Sequence, residues 1–77
     1  MNTLIKGLQK NGYTIWFVDN DTFYIMNHTT TIIYATVKKG TGRKVLLNMT
    51  YWNDSDMWFE CKGQKDCLDN FLSSEYK

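Results

Sequence analysis

The side chains that could do chemistry in this chain are few and scattered. His28 is the one histidine, and Cys61 and Cys67, with five residues between them, are the two cysteines. A nucleophilic thiol needs a base beside it, and a histidine in a predicted loop does not assure one. A zinc site needs about four ligands at close spacing, which these residues do not offer. We therefore predict no catalytic residue, no metal and no cofactor, and hence no enzyme.

Two pairs of carboxylates, Asp19 with Asp21 and Asp54 with Asp56, are the other candidates for acid-base or calcium chemistry. Both pairs fall in predicted turns, where aspartate is common because its side chain bonds to the backbone close by. We interpret them as turn residues.

Length and composition predict a single globular domain, residues 1–77. The chain has 77 residues, 43% of them hydrophobic and 16% aromatic, and a net charge of +1. This composition is typical of a folded domain rather than a disordered one. Eight acids balanced by nine bases cannot supply the strongly negative surface that DNA mimicry needs.

The chain lacks the features of a membrane or secreted protein. Its apolar runs are far shorter than the ~20 residues that cross a bilayer, and the first residues lack an apolar signal segment. We expect a cytoplasmic protein with reduced thiols, in the host cytoplasm if a phage encodes it. In the secreted alternative the two cysteines could form a disulfide, and Asn27, Asn48 and Asn53 would begin glycosylation sequons.

Helical patterns occur at the two ends of the chain. Residues 3–11 place Leu4, Ile5 and Leu8 at helical spacing before Asn11-Gly12. Residues 67–75 form the second predicted helix, with Asp66 as its N-cap and one apolar face made by Leu68, Phe71 and Leu72.

Five stretches between the helices are rich in β-branched and aromatic residues, at 13–18, 22–27, 31–38, 43–52 and 56–61. Short polar loops separate them. The pattern predicts an α+β fold, a five-stranded antiparallel meander flanked by short N- and C-terminal helices in the order α-β-β-β-β-β-α. A curled, barrel-like sheet is the alternative.

Tight hairpins would fix the register of this sheet. They pair Phe17 with Phe23 and Ile15 with Ile25, then Ile25 with Ile33 and Phe23 with Ala35, then Ile33 with Met49, Ala35 with Leu47 and Val37 with Val45, and finally Met49 with Phe59. One face of the sheet is then almost wholly apolar, and we expect the two helices to cover it.

The same register places a row of rings on the opposite face. Trp16, Tyr24 and Tyr34 lie on adjacent strands, Trp58 joins them from the fifth strand, and Val18, Met26, Ile32 and Leu46 surround them. Large rings with few rotatable bonds are enriched at interface centres, so we predict a partner-binding surface here. An ordinary solvated sheet surface and a homodimer contact are the alternatives.

Basic residues cluster in the third hairpin, where Lys38, Lys39, Arg43 and Lys44 occur without an acid. The predicted register sets Lys38 opposite Lys44, which is unfavourable unless an anion or a carboxylate of a partner lies between them. We predict that these four cations steer or pair with a partner, although a solvated hairpin tip is an alternative.

The hypothesis favoured by these features is a small non-enzymatic protein that binds another protein. In size and architecture the chain resembles phage-encoded or mobile-element inhibitors of host enzymes and defence systems, including anti-CRISPR and anti-restriction proteins. That resemblance implies steric occlusion of a host enzyme or complex.

The alternative is a single-stranded nucleic-acid or RNA-binding protein that stacks bases on the rings beside the basic hairpin. The outline also resembles a double-stranded RNA-binding domain, but the last predicted helix begins with acidic rather than lysine-rich sequence. No membrane partner is expected.

Overall fold

The computed structural model describes residues 1–49 and 57–75. Its elements are α1 (Asn2–Lys10), β1 (Tyr13–Phe17), β2 (Thr22–Asn27), β3 (Ile33–Lys39), β4 (Val45–Met49), β5 (Phe59–Cys61) and α2 (Gln64–Glu75). The strands form one open antiparallel sheet in chain order, which confirms the predicted α-β-β-β-β-β-α meander rather than a barrel. The predicted turn at 53–55, and the predicted strand residues 50–52 and 56, lie outside the described residues.

The first helix follows its sequence pattern closely. Leu4 and Leu8 are fully buried, as their spacing predicts. The helix ends where Asn11 donates its side-chain amide to the Gly7 carbonyl at 2.7 Å and Gly12 takes a positive φ of 91°. Glycine tolerates that conformation because it has no Cβ.

The second helix begins three residues earlier than predicted. It starts at Gln64, so Asp66 lies in the first turn and is not the N-cap. The Asp66 carboxylate instead accepts a hydrogen bond from the Lys62 backbone amide at 2.8 Å, which closes the entry to the helix. The predicted apolar face is retained, with Phe71 buried and Leu68 and Leu72 packed against the core.

The register agrees with the prediction in the first hairpin and is shifted by two residues in the others. Phe17 pairs with Phe23 and Ile15 with Ile25, as predicted. In the next two pairs of strands Phe23 lies opposite Val37 and Val37 opposite Leu47. The predicted pairs between β2 and β3, between β3 and β4, and between Met49 and Phe59 were therefore wrong. A shift of two keeps every side chain on its predicted face, because side chains alternate with period two.

A β-bulge in β3 is the exception. Ile25 pairs with Ala35 but Met26 pairs with Ile33, so Tyr34 is an extra residue. Upstream of the bulge the alternation is reversed, and Ile33 lies with Met26 instead of joining the apolar face as predicted.

The core lies between the sheet and the two helices. Its fully buried members, all below 3% exposure, are Leu4, Leu8, Phe23, Ile25, Ala35, Val37, Val45, Leu47, Met49, Cys61, Cys67 and Phe71. Both helices therefore pack on the predicted apolar face of the sheet. Within the described ranges, neither helix is long and apolar enough to span a bilayer.

Candidate binding surfaces

The side of the sheet away from the helices carries the predicted rings. We call it the outer face and define it by Trp16, Tyr24, Lys38, Leu46 and Trp58. Trp16 on the edge strand β1 is paired with Tyr24 on β2, and Lys38 on β3 is paired with Leu46 on β4. Trp58 immediately precedes β5. Both helices lie on the opposite side, so neither of them covers the outer face.

Large apolar side chains are exposed on and around this face. Trp16 is 62% exposed, and Val18, two residues further along on the same face, is 50% exposed. Ile32, which was predicted to lie beside the rings, comes before the bulge, where the alternation is reversed. Tyr24 and Trp58 are half-buried. Exposed tryptophan surrounded by other apolar groups is characteristic of a surface that binds a partner.

The cations of the outer face already have partners. The Lys38 ammonium lies 4.5 Å from the centre of the Trp58 ring, a cation–π contact. Lys38 lies opposite Leu46, and Lys44 pairs with Glu60 at 3.1 Å. The predicted opposition of Lys38 and Lys44 was therefore wrong, because the register of β3 and β4 is shifted by two.

Tyr34 does not belong to the row of rings, contrary to the prediction. The bulge turns it to the helix side, where its ring lies 5.6 Å from the ring of Tyr13 in an edge-to-face contact. Its hydroxyl accepts a hydrogen bond from the Asn27 side-chain amide at 2.8 Å. Thr36 takes the place opposite Tyr24 instead.

Lys39 and Arg43 are also separated from the rings. They line a cavity of about 840 Å³ on the helix side, at the end of the sheet where the β1–β2 and β3–β4 turns meet the starts of both helices. We call it the basic cavity. The cations that line it are Lys39, Arg43, Lys44, Lys62 and Lys65, and the acids are Asp21 and Asp66. The predicted site thus divides into two surfaces on opposite sides of the sheet.

The two thiols and the histidine lie in different environments. Cys61 and Cys67 are free thiols and fully buried. Burial raises the pKa of both thiols, so both stay protonated at neutral pH. His28 lies in the exposed loop between β2 and β3, and Asp19 accepts a turn hydrogen bond from the Asp21 amide at 2.8 Å. Among the side chains of residues 1–49 and 57–74, no three His, Cys, Asp or Glu side chains gather as metal ligands.

Comparison of the chain with protein-family models, with curated protein sequences and with solved structures finds no match in any of the three.

The outer face offers exposed rings whose neighbouring cations are engaged. The basic cavity offers a concentration of positive charge. These two surfaces differ in chemistry, and each is suited to a different kind of partner.

Proposed function

We propose that this chain is a non-enzymatic binding protein that docks through the outer face onto another protein and blocks a working surface of that protein. A small inhibitor of a host enzyme or defence system would act in this way. The observation that carries the proposal is the 62% exposure of Trp16 on a sheet side that the helices leave open. Trp16 lies on the edge strand β1 beside Tyr24, and an exposed tryptophan provides large contact area at low entropic cost.

A protein partner fits this surface better than a single-stranded nucleic acid. Stacking of bases needs free ring faces with free cations beside them to hold phosphates. Lys38 lies over Trp58, and Lys44 is paired with Glu60, whose carboxylate would repel a phosphate. A protein partner that brings mainly apolar side chains meets no such penalty.

The test compares Trp16→Ala with Phe17→Ala. The two rings are neighbours in the chain, 62% and 59% exposed, and lie on opposite sides of the sheet. The immobilised protein is used to capture proteins from a lysate of the native host, with mass spectrometry to identify them. The captured partner is then purified and titrated against each variant, and its activity is assayed.

We expect Trp16→Ala to weaken binding of the partner at least about tenfold and to relieve its inhibition, whereas Phe17→Ala binds as the parent chain does. Circular dichroism and a thermal transition check that both variants fold. Equal loss in both variants would refute the outer face as the docking surface. If the chain bound a single-stranded oligonucleotide saturably and Trp16→Ala abolished that binding, the nucleic-acid alternative would be supported instead. If the chain sedimented as a dimer and Trp16→Ala converted it to a monomer, self-association would be supported.

A further inference from the structure

The basic cavity collects positive charge that the rest of the chain lacks. Its lining has five cations and two carboxylates, a net charge of +3, and one of these cations, Lys44, is paired with Glu60 of the outer face. The remaining four cations and six carboxylates of the chain carry a net charge of −2. A nearly neutral protein has therefore concentrated its positive charge at one end of the sheet, on the helix side.

Most of these cations have no carboxylate partner among the side chains that the structure describes. Lys44 has Glu60, but among the side chains of residues 1–49 and 57–74 no carboxylate oxygen lies within 4.0 Å of the cationic groups of the other four, Lys39, Arg43, Lys62 and Lys65. Asp66 faces the same cavity, and its carboxylate is engaged by the Lys62 backbone amide. Like charges gathered around one concavity repel each other, and an anion bound between them would relieve that repulsion.

The backbone adds to the positive potential. Both α1 and α2 begin at the cavity, with Asn2 and Gln64 in its lining. Amide N–H groups at the start of a helix are directed outward and favour anions. One of these amides, that of Leu4, donates to the Gln64 side chain at 3.0 Å, which joins the two helix starts.

The remaining walls of the cavity are apolar and aromatic. Met1, Ile5, Phe23 and Val45 contribute to them, and Phe17 stands at the rim. The Phe17 ring is held by an edge-to-face contact with Phe23, their centres 5.9 Å apart, yet 59% of Phe17 is exposed. An exposed ring beside a group of cations suits a ligand that combines an anion with a flat apolar part.

We propose that the basic cavity binds a nucleotide, with its phosphate among Arg43, Lys62 and Lys65 and its base against Phe17. The volume of about 840 Å³ lies within the range of ~300–1,000 Å³ typical of small-molecule sites. The nucleotide could be free or the phosphorylated end of an oligonucleotide, since both present the same chemistry. This site is separate from the outer face, so it stands whether or not a protein docks there.

Titration of the ¹⁵N-labelled protein with AMP, inorganic phosphate and a 5′-phosphorylated oligonucleotide tests the proposal. We expect AMP to shift the amide signals of Arg43, Lys62 and Gln64 saturably, and to bind more tightly than phosphate. Equal affinity for phosphate and AMP would overturn the role of the base. If the oligonucleotide shifted the same amide signals as AMP and bound more tightly than AMP, the end of a nucleic acid would be identified as the source of the nucleotide.

Charge-matched variants then distinguish binding of AMP in the cavity from non-specific attraction of AMP to positive charge elsewhere on the protein. Arg43→Gln with Lys65→Gln should weaken AMP binding about tenfold, because two charge-assisted contacts are lost. Lys6→Gln with Lys10→Gln removes the same charge from α1 outside the cavity and should leave the affinity unchanged. Equal weakening by both pairs, or no saturable shift up to about 10 mM AMP, would overturn the proposal. Trp16→Ala should bind AMP normally, so failure here and failure of the docking proposal are distinguishable.

Discussion

The close contact between α1 and α2 at Gly7 is the part of the fold whose energetics can be worked out most directly. A Cβ at Gly7 would lie 2.5 Å from Cδ2 of Leu68. Carbon atoms in favourable contact are ~3.5–4.0 Å apart, so an alanine at Gly7 would overlap that methyl group by about 1 Å. The Leu68 side chain must move, and Leu68 is only half-buried.

Two opposing effects determine how Gly7→Ala should change the free energy of unfolding. Alanine favours a helix interior over glycine by ~1 kcal/mol, whereas overpacking costs ~1–3 kcal/mol. In the parent chain we expect a net loss of stability of ~0–2 kcal/mol. In a Leu68→Ala background the overlap is gone, and Gly7→Ala should stabilise by ~1 kcal/mol. The interaction energy of this double-mutant cycle should therefore be ~1–3 kcal/mol.

Urea unfolding followed by far-ultraviolet circular dichroism measures the four free energies, with equal m values as the check on comparability. Lys6→Gly is the control, because it changes helix propensity at the adjacent exposed position and should add to Leu68→Ala within ~0.5 kcal/mol. If Gly7→Ala stabilised the parent chain and the Leu68→Ala variant equally, the close approach of the helices would be refuted.

A buried thiol and an exposed ion pair give two other predictions. Burial raises the pKa of Cys67 above its ordinary value of 9.0, so the folded state keeps a proton that the unfolded chain releases. The contribution of Cys67 to the free energy of unfolding is thus full below pH 9 and falls by ~1.4 kcal/mol per pH unit above it. Urea unfolding between pH 8 and 11 should therefore show a shallower decline of stability for Cys67→Ala than for the parent chain. An unchanged slope would contradict this. For Lys44 and Glu60, whose side chains are 52% and 59% exposed, a double-mutant cycle should give a coupling below ~1 kcal/mol, and a coupling well above that would show a stronger pair than the geometry implies.

The faces of the sheet could be predicted from the sequence because they depend on alternation alone. Loop lengths that differ from the assumed ones by an even number shift the register without turning a strand over, so Val37 and Leu47 stayed on the core side. Tyr34 could not be placed, because nothing in its immediate sequence marks the bulge. Only its packing against Tyr13 and its bond with Asn27 show why the ring turns toward the helices.

The basic cavity depends on which ends of the elements meet. In an antiparallel meander the first and third turns lie at the same end of the sheet, and the segment after β5 returns to that end. The basic hairpin could therefore have been placed beside Lys62 and Lys65 from topology alone. The depth of the cavity could not be predicted from the sequence, because it depends on how α1 and α2 are joined through the hydrogen bond from the Leu4 amide to the Gln64 side chain.

The separation of charge between the two sides of the sheet has a consequence for how each binds. On the outer face Lys38 is engaged by Trp58 and Lys44 by Glu60, so a docking protein meets a surface with little free charge. Association there depends on buried apolar area and should change little with added salt. The other four cations of the basic cavity have no carboxylate partner among the side chains that the structure describes, so phosphate binding there should weaken as salt screens them. Ionic strength therefore distinguishes the two surfaces in a single chain: loss of protein binding at moderate salt would place the partner on the cavity side, against the outer-face proposal.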